Sequence, residues 1–469
     1  MTIDARHPLP GTRPLVVGAA RSGIAAARLL RRHRLDVKVC DRRPVGERAE
    51  AERVLAEIGV ERVWGRDDVG LLDGRDVVIW SPGIPFDHPI AATARSRGIP
   101  VLSELELGYR AAHAPFVAIT GTNGKSTTTD LTGVLVRATG RSSAVCGNIG
   151  RAVCEVAEEV EPTGLLIAEV SSFQLETVDR FRPFVATWLN LTPDHLDRHR
   201  DLDTYGALKQ RLFARQEDTD YSVWNADDPE VMARRTGRAT ALEFSLRRPV
   251  EQGAALEDGM LTLAWRGGRE TLMPARELRL RGTHNLMNAL GALATVLPLE
   301  IAPATLREVL RTYPGLEHRL EPVAIVDGVE FVNDSKATNT GSLAVALESF
   351  RGPLVLIAGG RDKDQDFRPL ASRVVNAAQH VVLIGEGAER IAAAWPGVPS
   401  SRAATLADAV DRAFERARAL APAGDPTRAR ATVLLSPGCA SFDMFQDYED
   451  RGRRFKAEVG RLSRMEAKT

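Results

Sequence analysis

Cysteine is scarce in this chain of 469 residues: Cys40, Cys146, Cys154 and Cys439 are the whole complement. No two of them form a Cys-x-x-Cys pair, which argues against a zinc site or a disulfide framework and leaves buried free thiols as the expectation. Long apolar runs are missing as well. Nothing approaches the roughly 18 residues of a membrane-spanning helix, and the stretch from Met1 to Pro14 lacks the apolar centre of an export signal. A cytoplasmic protein without a membrane partner is therefore expected. Excess charge of either sign is also absent, with Lys+Arg and Asp+Glu at 62 each, so net charge gives no argument for nucleic acid or an anionic surface. The chain has no internal repeats and no Ser/His/Asp or Cys/His nucleophile arrangement. Its one biased segment is the Ala/Arg/Pro-rich stretch 421–428.

What is present fits a globular protein of two to four domains, with 44% hydrophobic and 26% charged residues. The most informative stretch is Phe116-Val117-Ala118-Ile119-Thr120-Gly121-Thr122-Asn123-Gly124-Lys125-Ser126-Thr127. An apolar, β-branched run ends in a Gly-bounded turn with Lys followed by Ser and Thr, and Leu131, Val134 and Leu135 continue at helical spacing toward a stop at Gly140. That is a strand, a phosphate loop and a helix. Backbone N–H groups and the helix dipole attract a polyphosphate there, the lysine reaches its outer phosphates, and a hydroxyl can ligate Mg²⁺. Ile119 stands where the strict motif has its first Gly, so the loop is a shortened variant. Nucleoside triphosphate binding is the working premise.

Before the loop, Leu15-Val16-Val17 leads into Gly18-Ala19-Ala20-Arg21-Ser22-Gly23, a helical pattern, and a strand closing at Asp41. This is the shape of a Rossmann βαβ start. Ala20 replaces the glycine that admits a pyrophosphate, which leaves an NAD site, another nucleotide-diphosphate site and simple packing all open. Val77-Val78-Ile79-Trp80 is a further strand ending in the turn 81–85. After the loop, strands alternate with helical stretches, the mark of a mostly parallel sheet. Residues 266–269 read as a hairpin tip. The last third repeats the α/β spacing from Val329 onward. The fold class expected is α/β in three domains: a Rossmann-like domain over 1–109, a central P-loop domain over 110–315 and a Rossmann-like domain over 316–469, with linkers near 109–114 and 313–315.

Candidate chemical groups sit at strand ends. Glu169 closes an apolar strand and leads as the acidic partner of the P-loop, with a helix cap as the competing reading. His195 lies in a polar loop after another strand and is a candidate for Mg²⁺ or phosphate. Tyr205 and Lys209 share one helix face, and spacing alone leaves Lys209 as a solvated lysine. Asp334 and Lys336, with Thr338 beyond, form an acidic and basic pair suited to a zwitterion or a ribose and phosphate. A surface ion pair contributing about 0–1 kcal/mol is the plain alternative. Arg319 has the fork geometry that suits a γ-phosphate.

Taken together these motifs resemble the Mur ligase family over nearly the whole chain. The likeness is strongest at 121–127 (Gly-Thr-Asn-Gly-Lys-Ser-Thr), 147–150, 169–176, 194–198, 284–289 and 333–339. Residues 435–445 with Arg451-Gly452 resemble the member that adds D-glutamate, and the Asp-Asn-Pro-Arg motif of the diaminopimelate- or lysine-adding relative is absent. The resemblance implies three domains, the last closing over the other two, and an ATP-dependent ligase of peptidoglycan precursors acting through an acyl phosphate. It implies UDP-N-acetylmuramoyl-L-alanine and D-glutamate as substrates, two Mg²⁺ sites and a monomer. It places Gly121, Thr122, Asn123, Gly124, Lys125, Ser126, Thr127, Asn288, Arg319 and Asp334 on ATP. Ser126, Glu169, His195 and a carbamylated Lys209 would serve the metals, and Lys125, His195, Lys209 and Arg319 the reaction. Asp41 and Asn148 would meet the UDP-linked substrate. Lys363, Ser441 and Phe442, with Lys336 and Thr338 nearby, would meet D-glutamate. On the residues alone, an NAD(P) oxidoreductase and a non-catalytic P-loop switch stay open.

Overall fold

The computed structural model describes residues 8–9, 11–280, 282–362, 365–421, 425 and 429–466. Among them the apolar runs form three sheets. The first has five parallel strands in the order Glu61–Trp64, Lys38–Asp41, Pro14–Val17, Val77–Trp80, Val101–Ser103. Pro14–Val17 and Val77–Trp80 are buried at every position, as parallel strands covered on both faces must be. Alternate residues serve opposite cores: Val16, Val77 and Ile79 pack with Ala26, Leu29 and Leu30 of the helix Arg21–Arg32. Leu15, Val17, Val78 and Trp80 pack with Ile90 and Ala94 of the helix Pro89–Ser96. The strand order reverses between Pro14–Val17 and Val77–Trp80, and at such a switch point the carboxyl ends part to form a ligand crevice. A cavity of about 430 Å³ lies there, between the segments 18–22 and 81–85.

The second sheet has nine strands, in the order Gly268–Pro274, Met260–Trp265, Gly253–Glu257, Thr240–Ser245, Tyr221–Asn225, Val185–Trp188, Phe116–Thr120, Leu165–Glu169, Ser143–Gly147. Phe116–Thr120 pairs in parallel with both neighbours, Ile119 opposite Glu169 on one side and Thr120 opposite Trp188 on the other. The segments after these three strands therefore leave the same edge of the sheet. The hairpin expected at 266–269 is present as a two-residue turn, Arg266 and Gly267 both at positive φ, which matches the twist of the strands it joins. The third sheet runs Glu321–Val326, Val329–Asn333, Ala431–Leu435, Leu354–Gly359, His380–Ile384, Ser400–Arg402, parallel except for the first pair.

The chain separates into two compact units, Met1–Arg279 with His284–Tyr313, and Leu280–Thr283 with Pro314–Thr469. The segment expected as a linker at 109–114 begins inside the buried helix Glu104–Ala111. There the fully buried Glu106 accepts hydrogen bonds from the backbone N–H groups of Asp179, Arg180 and Phe181 and from Arg110 Nε at 2.7 Å. A carboxylate saturated by main-chain donors and a guanidinium holds this helix to the central sheet, which a composition cue for a linker cannot register. All four cysteines are buried and free, as expected. Among the described residues no helix is long and apolar enough to cross a membrane.

Candidate active site

The loop after Phe116–Thr120 is built by hydrogen bonds to the loop after Val185–Trp188. Asn190 Oδ1 accepts from the backbone N–H groups of Thr122 (3.0 Å) and Asn123 (2.8 Å), and Asn190 Nδ2 donates to Asn123 O at 3.0 Å. Thr122 Oγ1 donates to Thr192 O at 3.1 Å, and Thr192 N–H donates to Thr122 Oγ1 at 3.0 Å. Gly124 then opens the helix Lys125–Arg137 in the left-handed region, φ 81°. The left-handed backbone is what calls for glycine here, and a Cβ at that position would also lie 2.2 Å from Asn288 Oδ1, the end of a side chain that would have to move. Ser126 and Thr127 are buried in the first turn of this helix. The expected residues Gly121 to Thr127 and Asn288 are thus brought together.

Lysines meet at the mouth of the loop. Lys125 Nζ donates to Gly121 O at 2.9 Å and Thr122 O at 2.8 Å, and Lys209 Nζ donates to the same Gly121 O at 2.8 Å. Lys209 is 1% exposed, which overturns the solvated reading. Its helix, Leu202–Gln210, is capped by Asp201, whose carboxylate accepts from Thr204 N–H, and its ammonium lies 4.4 Å from the Tyr205 ring centroid. Burial and the neighbouring Lys125 cation hold the Lys209 amine well below the usual lysine range, against the pull of Asp194 and Glu169.

Glu169 ends its strand buried. Its Oε1 accepts from Asn148 Nδ2 at 2.6 Å, and its Oε2 is buried without a hydrogen-bond partner. It is not the helix cap: Ser171 fills that role, in a capping box with Gln174. His195, at φ 53°, is half exposed and packs its ring 4.9 Å from that of Phe173. Asp41 is buried and accepts from Ala19 N–H (2.9 Å) and Arg43 N–H (3.0 Å), with Arg48 Nε 3.3 Å away. It lines the N-terminal cavity while holding the cavity's own loops. Gly23 is required by packing, since a Cβ there would meet Gly18 O at 1.8 Å.

In the second compact unit, burial raises the Asp334 carboxyl to about 7. It accepts from Ser436 Oγ at 2.8 Å and Leu320 N–H at 3.2 Å, so it is tied into its own fold, unlike a surface ion pair. Lys336 lies 5.8 Å from the Tyr448 ring. Arg319 and Thr338 are half-buried, Ser441 is buried, and Phe442 is exposed. Lys363 lies outside the described residues. The fully buried Arg451 joins two of these segments, donating through Nε to Ser335 Oγ (2.9 Å), through Nη2 to Ser335 O (2.8 Å) and through Nη1 to Cys439 O (3.2 Å).

Sequence reasoning gave no role to Asn190, Arg21, Arg198 or Arg451. All four fall within segments that drew attention, yet no spacing rule marks which polar residue clamps a loop.

A mostly parallel sheet whose P-loop opens a helix, with a buried carboxylate and a buried lysine at the same edge, defines a P-loop nucleotide-dependent α/β protein. Comparison with known proteins narrows this. Residues 12–103 match the N-terminal domain described as Mur ligase MurD-like, 119–296 the Mur ligase middle domain, and 318–438 the Mur ligase glutamate ligase domain. The UDP-N-acetylmuramoylalanine--D-glutamate ligase of Geobacter metallireducens is 42% identical over 97% of this chain and 98% of its own length. The protein of that name from Pelotomaculum thermopropionicum is 43% identical over 95% and 96%. The UDP-N-acetylmuramate-alanine ligase MurC of Thermotoga maritima shares the fold at TM-score 0.58 and 17% identity, covering 96% of this chain and 99% of its own. The chain belongs to the Mur ligase family, the ATP-dependent ligases that add amino acids or peptides to peptidoglycan precursors.

Proposed function

We propose that the protein joins D-glutamate to UDP-N-acetylmuramoyl-L-alanine, and the observation that carries this is the P-loop with Lys125, Lys209 and Glu169 at one sheet edge, in a chain 42% identical almost end to end to a ligase of that name. A carboxylate resists an amine because it is anionic and has no leaving group. Transfer of the ATP γ-phosphoryl group to it gives an acyl phosphate and ADP. Attack by the D-glutamate amine forms the tetrahedral adduct, and expulsion of phosphate with loss of a proton leaves the amide.

The chain's own groups mainly position reactants and neutralise charge. Lys125, whose ammonium rests on Gly121 O and Thr122 O, exchanges those contacts for phosphate oxygens. The unpartnered Glu169 Oε2 and the Ser126 hydroxyl fit a divalent cation, and His195 would serve a second one. Bound Mg²⁺ would supply charge neutralisation on the phosphates. Lys209, held toward its neutral form, is suited to take up CO₂ and become a carbamate, which turns a cation beside the loop into a carboxylate-like ligand. The cavity beside Asp41, ringed by Arg21, Arg42, Arg43 and Arg48, suits a nucleoside diphosphate, with Asn148 on the same substrate. Arg319 and Asp334 serve ATP, and Lys336, Thr338, Lys363, Ser441 and Phe442 serve D-glutamate. The working divisions are 1–109, 110–315 and 316–469, in a cytoplasmic monomer.

The test is phosphate release from ATP in the presence of UDP-N-acetylmuramoyl-L-alanine and one amino acid at a time. D-Glutamate alone should stimulate it; equal release with every amino acid would refute the assignment.

A further inference from the structure

The strand-to-helix segment 18–22 and the turn 81–85 wall the N-terminal cavity; the first reaches Glu169 by way of Asn148, and the second is fastened to the segment that carries His195. From the first, Arg21 Nη1 donates to Gly150 O at 2.8 Å and Nη2 to Gly147 O at 3.2 Å and Asn148 O at 3.4 Å. Asn148 in turn holds Glu169 Oε1 through its side-chain amide at 2.6 Å.

Toward the second, Arg198 lies one helical turn beyond His195. Its Nη1 donates to Pro82 O at 2.8 Å and its Nη2 to Ile84 O at 3.1 Å. Glu176 grips the same guanidinium with both oxygens, at 3.0 and 2.5 Å. The guanidinium carbon sits 4.2 Å above the Phe173 ring, and that ring packs against His195.

We propose that Arg21 and Arg198 are positioning residues that couple occupancy of the N-terminal cavity to the Glu169 and His195 segments, so that uridine diphosphate in the cavity tightens Mg·ATP binding at the P-loop. The inference rests on the reading of the cavity as a nucleotide subsite. A planar guanidinium cannot follow one carbonyl without moving its other contacts. A ligand that orders turn 81–85 therefore orders the helical turn bearing His195, and one that orders 18–22 orders the segment whose Asn148 aims Glu169. Ordering already supplied by one ligand lowers the cost of ordering for the other, and the effect is reciprocal.

The full-length protein is titrated with a non-hydrolysable ATP analogue and Mg²⁺, with and without saturating UDP. UDP carries no reacting carboxylate, so coupling seen with it does not come from contact between the reacting groups, and the arginine variants separate a path through the protein from direct charge effects. In the natural sequence UDP should tighten the analogue by about fivefold, the low end of ordinary allosteric coupling. In Arg198→Lys, which keeps the charge but loses the fork, that factor should fall to about twofold, because Arg21 still links the other wall of the cavity. Circular dichroism and the variant's affinity for UDP alone show whether it is folded, and Arg21→Lys is the second variant should Arg198→Lys fail to fold. Coupling retained in full in the folded variant overturns the proposal. If UDP binds but leaves analogue affinity unchanged in the natural sequence, the coupling alone is wrong. If UDP does not bind, the nucleotide reading of the cavity falls and takes the proposal with it.

Discussion

Lys125 and Lys209 place their ammonium nitrogens on one oxygen, that of Gly121, at 2.9 and 2.8 Å. Two cations sharing one carbonyl in a buried site repel each other, and either anionic phosphate or loss of charge on Lys209 relieves the conflict. The two lysines should therefore fail differently. Lys125→Ala should abolish ligation while leaving UDP-substrate binding intact, and no additive should restore it. Lys209→Ala should lower kcat by about 10²–10³-fold, the scale of losing one electrostatic contact, with partial recovery in a short-chain carboxylate that fills the vacated space. Steady-state rates with and without formate or acetate decide it; absence of rescue would count against carbamylation.

Asn190 shapes the loop from outside. Asn190→Ala removes an acceptor shared by two backbone N–H groups, of which Thr122 N–H keeps the Asn190 carbonyl and Asn123 is exposed, and should cost about 0.5–1.5 kcal/mol in urea unfolding, the net worth of such hydrogen bonds, with weaker ATP binding. Asn190→Asp keeps the acceptor but adds negative charge beside the phosphates, so its defect should fall mainly on ATP affinity. Stability and nucleotide affinity measured side by side separate the two.

Gly124→Ala meets both a left-handed backbone and Asn288 Oδ1 at 2.2 Å. The conformational cost alone is about 1–2 kcal/mol, and the displaced loop should lose nucleotide binding as judged by titration. Pairing it with Asn288→Ala relieves the clash but not the φ angle. The double variant should accordingly recover part of the stability and little of the binding.

Glu104 is buried beside Cys154, whose N–H donates to Glu104 Oε1 at 2.6 Å, and burial raises its carboxyl from 4.5 to about 7. A carboxyl raised in the folded state binds its proton more tightly there than when unfolded. Its contribution to stability is fully present below the unfolded value and is lost as pH rises through about 7. Glu104→Gln removes this dependence, so between pH 5 and pH 8 the variant should gain on the natural sequence by roughly 1–3 kcal/mol. Denaturant unfolding at both pH values measures it, and a constant difference would refute the assignment.

The sequence by itself determined the elements and the loop chemistry, because these rest on local rules. Apolar β-branched runs between turn residues became strands buried on both faces. Gly124-Lys125-Ser126 opened a helix after one of them, and Arg266-Gly267 turned a hairpin. Contacts between distant segments were decided only by the tertiary structure. Lys209 reads as solvated from spacing, because nothing local says that its helix packs beneath Gly121, 88 residues away. Helix Glu104–Ala111 reads as the approach to a linker, because the donors that saturate Glu106 lie more than 70 residues further on. Asn190, Arg21 and Arg198 act by reaching backbone carbonyls and N–H groups, which every residue carries, so no pattern of side chains marks their targets. Parallel pairing brings strand ends from far apart in the chain to one edge, and that edge is where this protein's lysines, carboxylate and phosphate loop meet.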